Sequence, residues 1–295
     1  MKTHWKVLLT FCVLVLFILV IASLIVLITT GFGDGPSLTG GYVAVIPIKG
    51  EITFGGCGGG LLTGPIACAN VDEVKASIEE ANNDWSVDAI VLDINSGGGS
   101  VVATRELTYA VMNSEKPVVA YIGETGASGA YYAASAADKI VADKNSITGS
   151  IGVRMEVPHY YDLMGKLGVN ITTIKAGENK DVGSPYRPMT EKEEEELQEI
   201  VDTIYDDFIA SVAENRNLSV DYVRSIADGK IYLGEKAKEL KLIDEVGSFD
   251  YAVELAAMEA GIKGEPGVKN IEPSKSIGDL FAGEVLNNIA EYVRL

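Results

Sequence analysis

The residues best suited to chemistry lie between Pro117 and Val153, PVVAYIGETGASGAYYAASAADKIVADKNSITGSIGV. Ser128 stands in Gly126-Ala127-Ser128-Gly129-Ala130, three residues after the apolar run Val118–Ile122 and before Tyr131–Ala137, a segment of helical character. A hydroxyl at a strand-to-helix turn sits on top of the sheet, beside helix N-terminal amides that lack a backbone partner. Small flanking residues leave room for a substrate backbone to approach. This is how a serine nucleophile is presented, but the same pattern also serves a Gly/Ala-rich turn built only for helix–sheet packing. The base decides between the two.

The chain has two histidines, His4 and His159. His4 precedes a long apolar stretch. His159, in VPHYYDLMGKLG, reads as a surface or packing residue. GASGA also departs from the G-x-S-x-G elbow. With so little His and Cys, zinc catalysis has few ligands to draw on. A lysine is the leading alternative base. Its reference pKa of about 10.4 must fall by about three units, which burial among apolar groups achieves. Spacing alone leaves Lys139, Lys144, Lys175 and Lys180 open.

These residues need elements to hold them. Tyr42–Ile48, Ala89–Ile94, Val118–Ile122 and Lys139–Ala142 read as strands. Val71–Ala81 and Val101–Asn113 read as helices between them. Alternating strands and helices indicate an α/β core with parallel strands, whose sites lie beyond the strands' carboxyl ends. The turn Asn95-Ser96-Gly97-Gly98-Gly99-Ser100-Val101 therefore belongs on the same sheet edge as Ser128. Further on, a helix ends near Gly168 and Val169–Ile174 reads as a strand. Thr190 and Glu193 form a capping box opening a helix to about Asn215. Ser219–Ala227 and Leu233–Leu240 read as helical, and Leu242–Asp244 as a short strand. Residues 263–275 look loose, and Ile277–Val293 suits one more amphipathic helix.

Val7–Ile28 is 22 residues without a charge, enough at ~1.5 Å per residue to cross a ~30 Å hydrocarbon core. Lys2 and Lys6 precede it, and all 42 acidic residues follow it. The expectation is an uncleaved signal anchor over 1–30, N-terminus in the cytoplasm, then a linker over 31–41 and a domain outside the membrane. A net charge of −18 argues against nucleic acid as a partner. Cys57 and Cys68 flank a glycine-rich excursion. In an oxidising compartment they can pair, stabilising the loop by roughly 3 kcal/mol in the chain-entropy model.

INSGGGSV, GETGASGAYYAASAADKIVADKNSITGSIGV, KDVGSPYRPMTEKE and DGKIYLGEKAKELKLIDEVGS, in that order, together resemble the signal peptide peptidase A family. These are membrane-anchored Ser–Lys peptidases of the Clp protease/crotonase superfold, and the likeness is to the short, single-domain form. The resemblance covers roughly residues 40–260. It implies an α/β fold with a repeated ββα core over 42–262, a tail over 263–295, and an endopeptidase acting on hydrophobic peptides such as cleaved signal peptides. It implies Ser128 as nucleophile, Lys180 as general base, Ser150 as the residue orienting that lysine, and the Gly98 and Gly129 amides as oxyanion hole. It implies no metal or cofactor, and a homo-oligomer in which Ser and Lys can come from neighbouring subunits. The family usually has proline where this chain has Gly97. The change frees φ there and keeps the amides. A crotonase-like acyl-CoA hydratase or isomerase, and a non-catalytic membrane scaffold, are the competing functions.

Overall fold

Tyr42–Lys49 (β1) shows why the sheet is sandwiched. Ala44, Ile46 and Ile48 enter one buried cluster, while Val43 and Val45 enter a second on the opposite face. Side chains alternate across a strand, so a strand apolar at every position needs cover on both sides. The structure is a computed structural model that describes residues 41–55, 59–60, 64–65 and 67–272. They belong to one unit beginning at Gly41. The expected anchor Val7–Ile28, nearly all of the linker, Cys57 and the helix Ile277–Val293 lie outside the described residues.

After β1 come the short strands β2 (Glu51–Thr53), β3 (Gly59–Gly60), β4 (Gly64–Pro65) and β5 (Cys68–Asn70). Then α1 (Val71–Asn83), β6 (Val87–Ser96), α2 (Val101–Met112), β7 (Val118–Ala127) and α3 (Gly129–Ser135) alternate. Strands β8 (Lys139–Ala142) and β9 (Ile147–Gly149) and helices α4 (Tyr161–Lys166) and α5 (Glu191–Asn215) follow. The chain continues through α6 (Val220–Ile226), β10 (Ile231–Leu233), α7 (Gly234–Glu239), β11 (Glu245–Val246), α8 (Phe249–Glu259) and β12 (Gly267–Asn270).

The main sheet runs β10-β9-β7-β6-β1-β12, with β8 joining β7 to β11. The β12–β1, β1–β6 and β6–β7 pairs are parallel. One face packs against α8 through Ala252, Val253, Ala256 and Ala257. The other packs against α1, α2 and α3, where Val74, Ile78, Leu107 and Tyr131 are buried. Burying an aliphatic side chain of this kind contributes about 1.5–3 kcal/mol.

β7 is longer than the expected Val118–Ile122 because it serves two partners in turn. Val119–Ile122 pairs with β8, and Thr125–Ala127 pairs with β9. That switch brings the strand to its end at Ala127, immediately before Ser128.

The structure corrects two expectations and shifts a third. Val169–Ile174 forms no strand. Among the described residues no strand pairs with it, and extended backbone without a neighbouring strand gains nothing over irregular chain. The stretch expected to be loose after Gly261 instead forms β12, parallel to β1, with Ile271 buried beyond it. Lys269 Nζ bonds Asp84 at 2.5 Å and fastens that strand to the end of α1. The strand expected at Leu242–Asp244 forms at Glu245–Val246, because Leu242 and Ile243 turn into the core.

Candidate active site

Ser128 joins β7 to α3 with φ 52° and ψ −126°. For an L-residue this region costs on the order of 1–3 kcal/mol, so surrounding contacts must impose it. The Ser128 amide donates to the Gly149 carbonyl at 2.8 Å, and the Tyr132 amide donates to the Ser128 carbonyl at 2.9 Å. Behind it, Thr148 Oγ1 donates to the Gly126 carbonyl at 2.7 Å, and Ser146 Oγ to the Ile122 carbonyl at 2.9 Å. Strand β9 thus fastens the end of β7 at each step. Ser150 follows β9, also at φ 52°, and its amide donates to the Lys230 carbonyl at 2.7 Å.

The glycine turn after β6 arrives on the same edge. Gly98 has φ +99°, and a methyl on it would stand 2.5 Å from the Gly129 nitrogen and 3.1 Å from Ser128 Cβ. Only glycine permits that approach. The Gly98 amide donates to Ser96 Oγ at 3.1 Å. The Gly99 nitrogen lies 3.2 Å from the point a methyl on Gly129 would occupy. As the first residue of α3, Gly129 has an amide without a helical acceptor. Ser128, Ser150, Gly98 and Gly129 all line one cavity of about 750 Å³. Four of the five expected site residues therefore converge.

The fifth does not join them within one chain. Lys180 lies in a 3₁₀ turn, Glu178–Asp181, fully on the surface, and is not among the residues lining the Ser128 cavity. The other lysines left open by spacing are no closer in kind. Lys139 pairs with Val119 at the opposite end of β7 from Ser128, on the order of 30 Å of strand away. Lys144 is exposed, and Lys175 Nζ is spent on the Glu178 carbonyl at 2.6 Å and on Asp181. Lys230 is close through its backbone, but its ammonium is paired with Asp228, which holds its pKa above the ordinary value. His159 is exposed, beside Tyr161 and away from the cavity.

The turn carrying Lys180 is nonetheless braced. Arg187 Nε bonds Asp181 at 2.9 Å, and Arg187 Nη1 bonds Glu193 at 2.8 Å and the Pro188 carbonyl at 3.0 Å. Glu193 in turn accepts from the Thr190 amide at 2.9 Å, closing the capping box of α5. Hydrogen bonds from Arg187 hold the Glu193 carboxyl down at about 2 and push the Asp181 carboxyl well below its usual range. Asp181 is thus an anion pinned beside Lys180.

Several residues of the cavity escape a reading of the sequence. Ile204, Asp207 and Phe208 come from α5, whose acidic start reads as a solvated face, yet Phe208, Ile209, Val212 and Ala213 are buried. The signal lies in the change from the acidic run Glu193–Glu196 to the apolar residues that begin at Leu197. Phe208 stacks on Tyr132 at 4.7 Å, and Asp207 pairs with Arg105 at 3.6 Å. Thr104, from α2, also lines the cavity. Among the described residues no group of three or more His, Cys, Asp or Glu side chains is placed to hold a metal ion, and no helix is long and apolar enough to cross a membrane. Cys68 is disulfide-bonded.

The model of peptidase family S49 matches residues 110–263, just over half of the chain, with Ser128, Gly129, Ser150 and Lys180 inside the match. The chain belongs to peptidase family S49. A protein of Methanocaldococcus jannaschii is 44% identical over 247 residues, covering 81% of this chain and 79% of that protein. The chloroplastic serine protease SPPA of Arabidopsis thaliana is 31% identical over 259 residues, covering 83% of this chain but 37% of the plant protein. The fold is similar to that of the 1510-N membrane-bound stomatin-specific protease in complex with a substrate peptide. That likeness has a TM-score of 0.51 and 16% identity, covering 85% of this chain and 100% of that one.

Proposed function

We propose that this S49 peptidase is a membrane-anchored Ser–Lys endopeptidase, with Ser128 as nucleophile and Lys180 of a neighbouring copy as general base. The observation that carries the reading is the pairing of a strained, cavity-lining Ser128 with an exposed Lys180 whose turn is braced yet which does not line its own chain's cavity. A loop lysine needing only solvation would not require Asp181, Arg187 and Glu193 locked together beside it. The segment bearing it also shows unpartnered apolar side chains, with Leu163 54%, Leu167 66% and Ile174 96% exposed. A second copy laid against that segment would cover them and desolvate the lysine, and desolvation is what favours a neutral amine.

In the assembled site, neutral Lys180 Nζ takes the Ser128 Oγ proton as Oγ bonds to the peptide carbonyl carbon. The Gly129 amide and the Gly98–Gly99 turn stabilise the resulting oxyanion. Collapse breaks the C–N bond, and the Lys180 ammonium gives its proton to the leaving amine. Water then hydrolyses the acyl ester with Lys180 again as base. Ser150, on the cavity wall, is the residue that would orient the arriving amine. Val7–Ile28 would hold the domain at a membrane surface, where hydrophobic peptides such as signal-peptide remnants accumulate, and Cys57 is the partner proposed for Cys68. The hydratase alternative has no support once the chain is an S49 peptidase.

The test is hydrolysis of a fluorogenic hydrophobic peptide by the full chain, with Ser128→Ala and Lys180→Ala variants and mapping of a serine-directed acylating probe. Both variants should lose more than about 99% of the rate, since nucleophile and base act as a unit, and the probe should mark Ser128. Full hydrolysis by either variant would sink the proposal.

A further inference from the structure

The turn after β6 carries three consecutive glycines, Gly97-Gly98-Gly99, the kind of backbone least able to hold its own shape. What fixes it comes from another part of the chain. The Gly50 amide donates to the Asn95 carbonyl at 3.0 Å, and the Ile52 amide donates to the Gly98 carbonyl at 3.0 Å. The Ser100 amide then donates to the Ile52 carbonyl at 2.9 Å. Strand β2 therefore brackets the turn, with Ile52 bridged in parallel to Gly99. The two backbones lie so close that a methyl on Gly99 would stand 2.0 Å from the Ile52 carbonyl oxygen. Glu51, next to Ile52, lines the Ser128 cavity.

Strand β2 has to be held in its turn. The Ile52 side chain is fully buried in the core. β2 also pairs in parallel with β5, Glu51 opposite Cys68, Ile52 opposite Ala69 and Thr53 opposite Asn70. Two strands of three residues are marginal by themselves. β5 is pinned at both of its ends. Asn70 Oδ1 accepts from the Asp72 amide at 3.1 Å and caps α1, while Cys68 is disulfide-bonded. A continuous set of contacts thus runs from that disulfide through β5 and β2 to the Gly98–Gly99 turn.

We infer that Ile52 is a positioning residue of this peptidase, whose backbone sets the Gly98–Gly99 turn for the oxyanion and which the Cys68 disulfide keeps in place. The inference rests on the proposed Ser128 chemistry and extends it to the strand behind the oxyanion donors. Donors aimed before reaction begins need no reorganisation as charge develops on the carbonyl oxygen, so a loosened turn is felt in kcat more than in KM. A misplacement of about 1 Å at such a site can lower the rate on the order of a hundredfold.

The experiment follows the full chain oxidised, reduced and reoxidised, measuring kcat and KM on the fluorogenic peptide, labelling by the acylating probe, and melting temperature. Dithiothreitol supplies the two electrons. The S–S bond opens to two thiols, counted by titration, as the reagent closes to its own cyclic disulfide. The reduced protein and Cys68→Ser should show kcat and labelling lowered about tenfold or more, with KM within about twofold, and reoxidation should restore the wild type. Hydrogen exchange at the Ile52 and Ser100 amides should quicken on reduction while β6 and β7 keep their protection. Ile52→Ala should lose kcat in the same way, and Ile52→Val, which keeps a branched apolar side chain, should retain most of it. A role in stability alone would lower the melting temperature and leave kcat of the folded fraction unchanged. If the fully reduced protein or folded Ile52→Ala keeps kcat within about twofold while Ser128→Ala is inactive, the inference is overturned and the peptidase reading stands. If Ser128→Ala itself retains activity, both fall together.

Discussion

The Ser128 amide and the Gly149 carbonyl are joined at 2.8 Å, and this bond ties the strained turn to the end of β9. Gly149 has φ +80°, and a methyl on it would meet the Tyr232 ring at 2.8 Å and the Lys230 carbonyl at 3.2 Å. Gly149→Ala should therefore displace the β9–β10 pairing and loosen Ser128 with it. The expected outcome is a loss of about 1–3 kcal/mol in stability, with a fall in probe labelling beyond what the unfolded fraction explains. Urea titration and labelling kinetics on the same sample check both. Wild-type labelling in a folded Gly149→Ala protein would show that Ser128 keeps its geometry without this support.

Behind the nucleophile, Tyr131 is fully buried on α3 and its hydroxyl donates to the Leu242 carbonyl at 2.9 Å. Burial pushes that phenol's pKa well above its usual value, so the group stays a neutral donor at any working pH. Tyr131→Phe leaves the carbonyl of buried Leu242 unpaired and should cost roughly 1–3 kcal/mol. The hydroxyl points away from the cavity, so kcat of the folded fraction should be unchanged. A parallel drop in kcat would mean that α3 transmits the loss to Ser128.

Much of this arrangement is readable from residue order. Apolar runs bounded by glycine and proline mark β1, β6 and β7, and the capping box Thr190–Glu193 marks the start of α5. The Ser128–Gly129 and Gly98 turns fall on one edge because strands followed by helices in alternation make a parallel sheet with its ligand edge at the strand ends, whereas Ser150 is reached only through the family resemblance. What the sequence hides is tertiary. Gly267–Asn270 has weak strand character and becomes a strand only because β1 offers it an open edge. Val169–Ile174 has strong strand character and stays irregular, since among the described residues no strand pairs with it. The separation of Lys180 from Ser128 depends on where the exposed 154–190 segment projects, which no local spacing encodes.

That separation yields a mixing test. If Lys180 serves a neighbour's Ser128, Ser128→Ala and Lys180→Ala proteins, each inactive alone, should regain part of the wild-type rate when co-expressed or reassembled together. Sites then form between a copy with an intact serine and a copy with an intact lysine. If the 154–190 segment instead folded back onto its own chain, every site would lack one group and the mixture would stay inactive. Substituting Leu163 and Leu167 by Ser should reduce both association and activity, with sedimentation and peptide hydrolysis falling together, since these exposed side chains are what a second copy would bury.

The brace beside Lys180 makes the segment acid-sensitive in a defined direction. Hydrogen bonding to Arg187 lowers the Glu193 carboxyl from 4.5 to about 2, with Asp181 shifted the same way. A carboxyl with a depressed folded value contributes stability above its unfolded pKa and loses it as pH falls through the folded one. The brace should therefore be intact above about pH 4.5 and weaken steadily toward pH 2. Hydrogen exchange across residues 176–190 should accelerate over that window before the amides of β6 and β7 lose protection. Arg187→Gln removes the partner that causes the shifts, so its segment should exchange fast at neutral pH and change little on acidification. It should also lose peptidase activity at pH 7 while keeping its thermal transition, because the brace positions Lys180 rather than the core. Unchanged exchange in the wild-type segment down to about pH 2 would mean that Arg187 does not hold these carboxylates in solution.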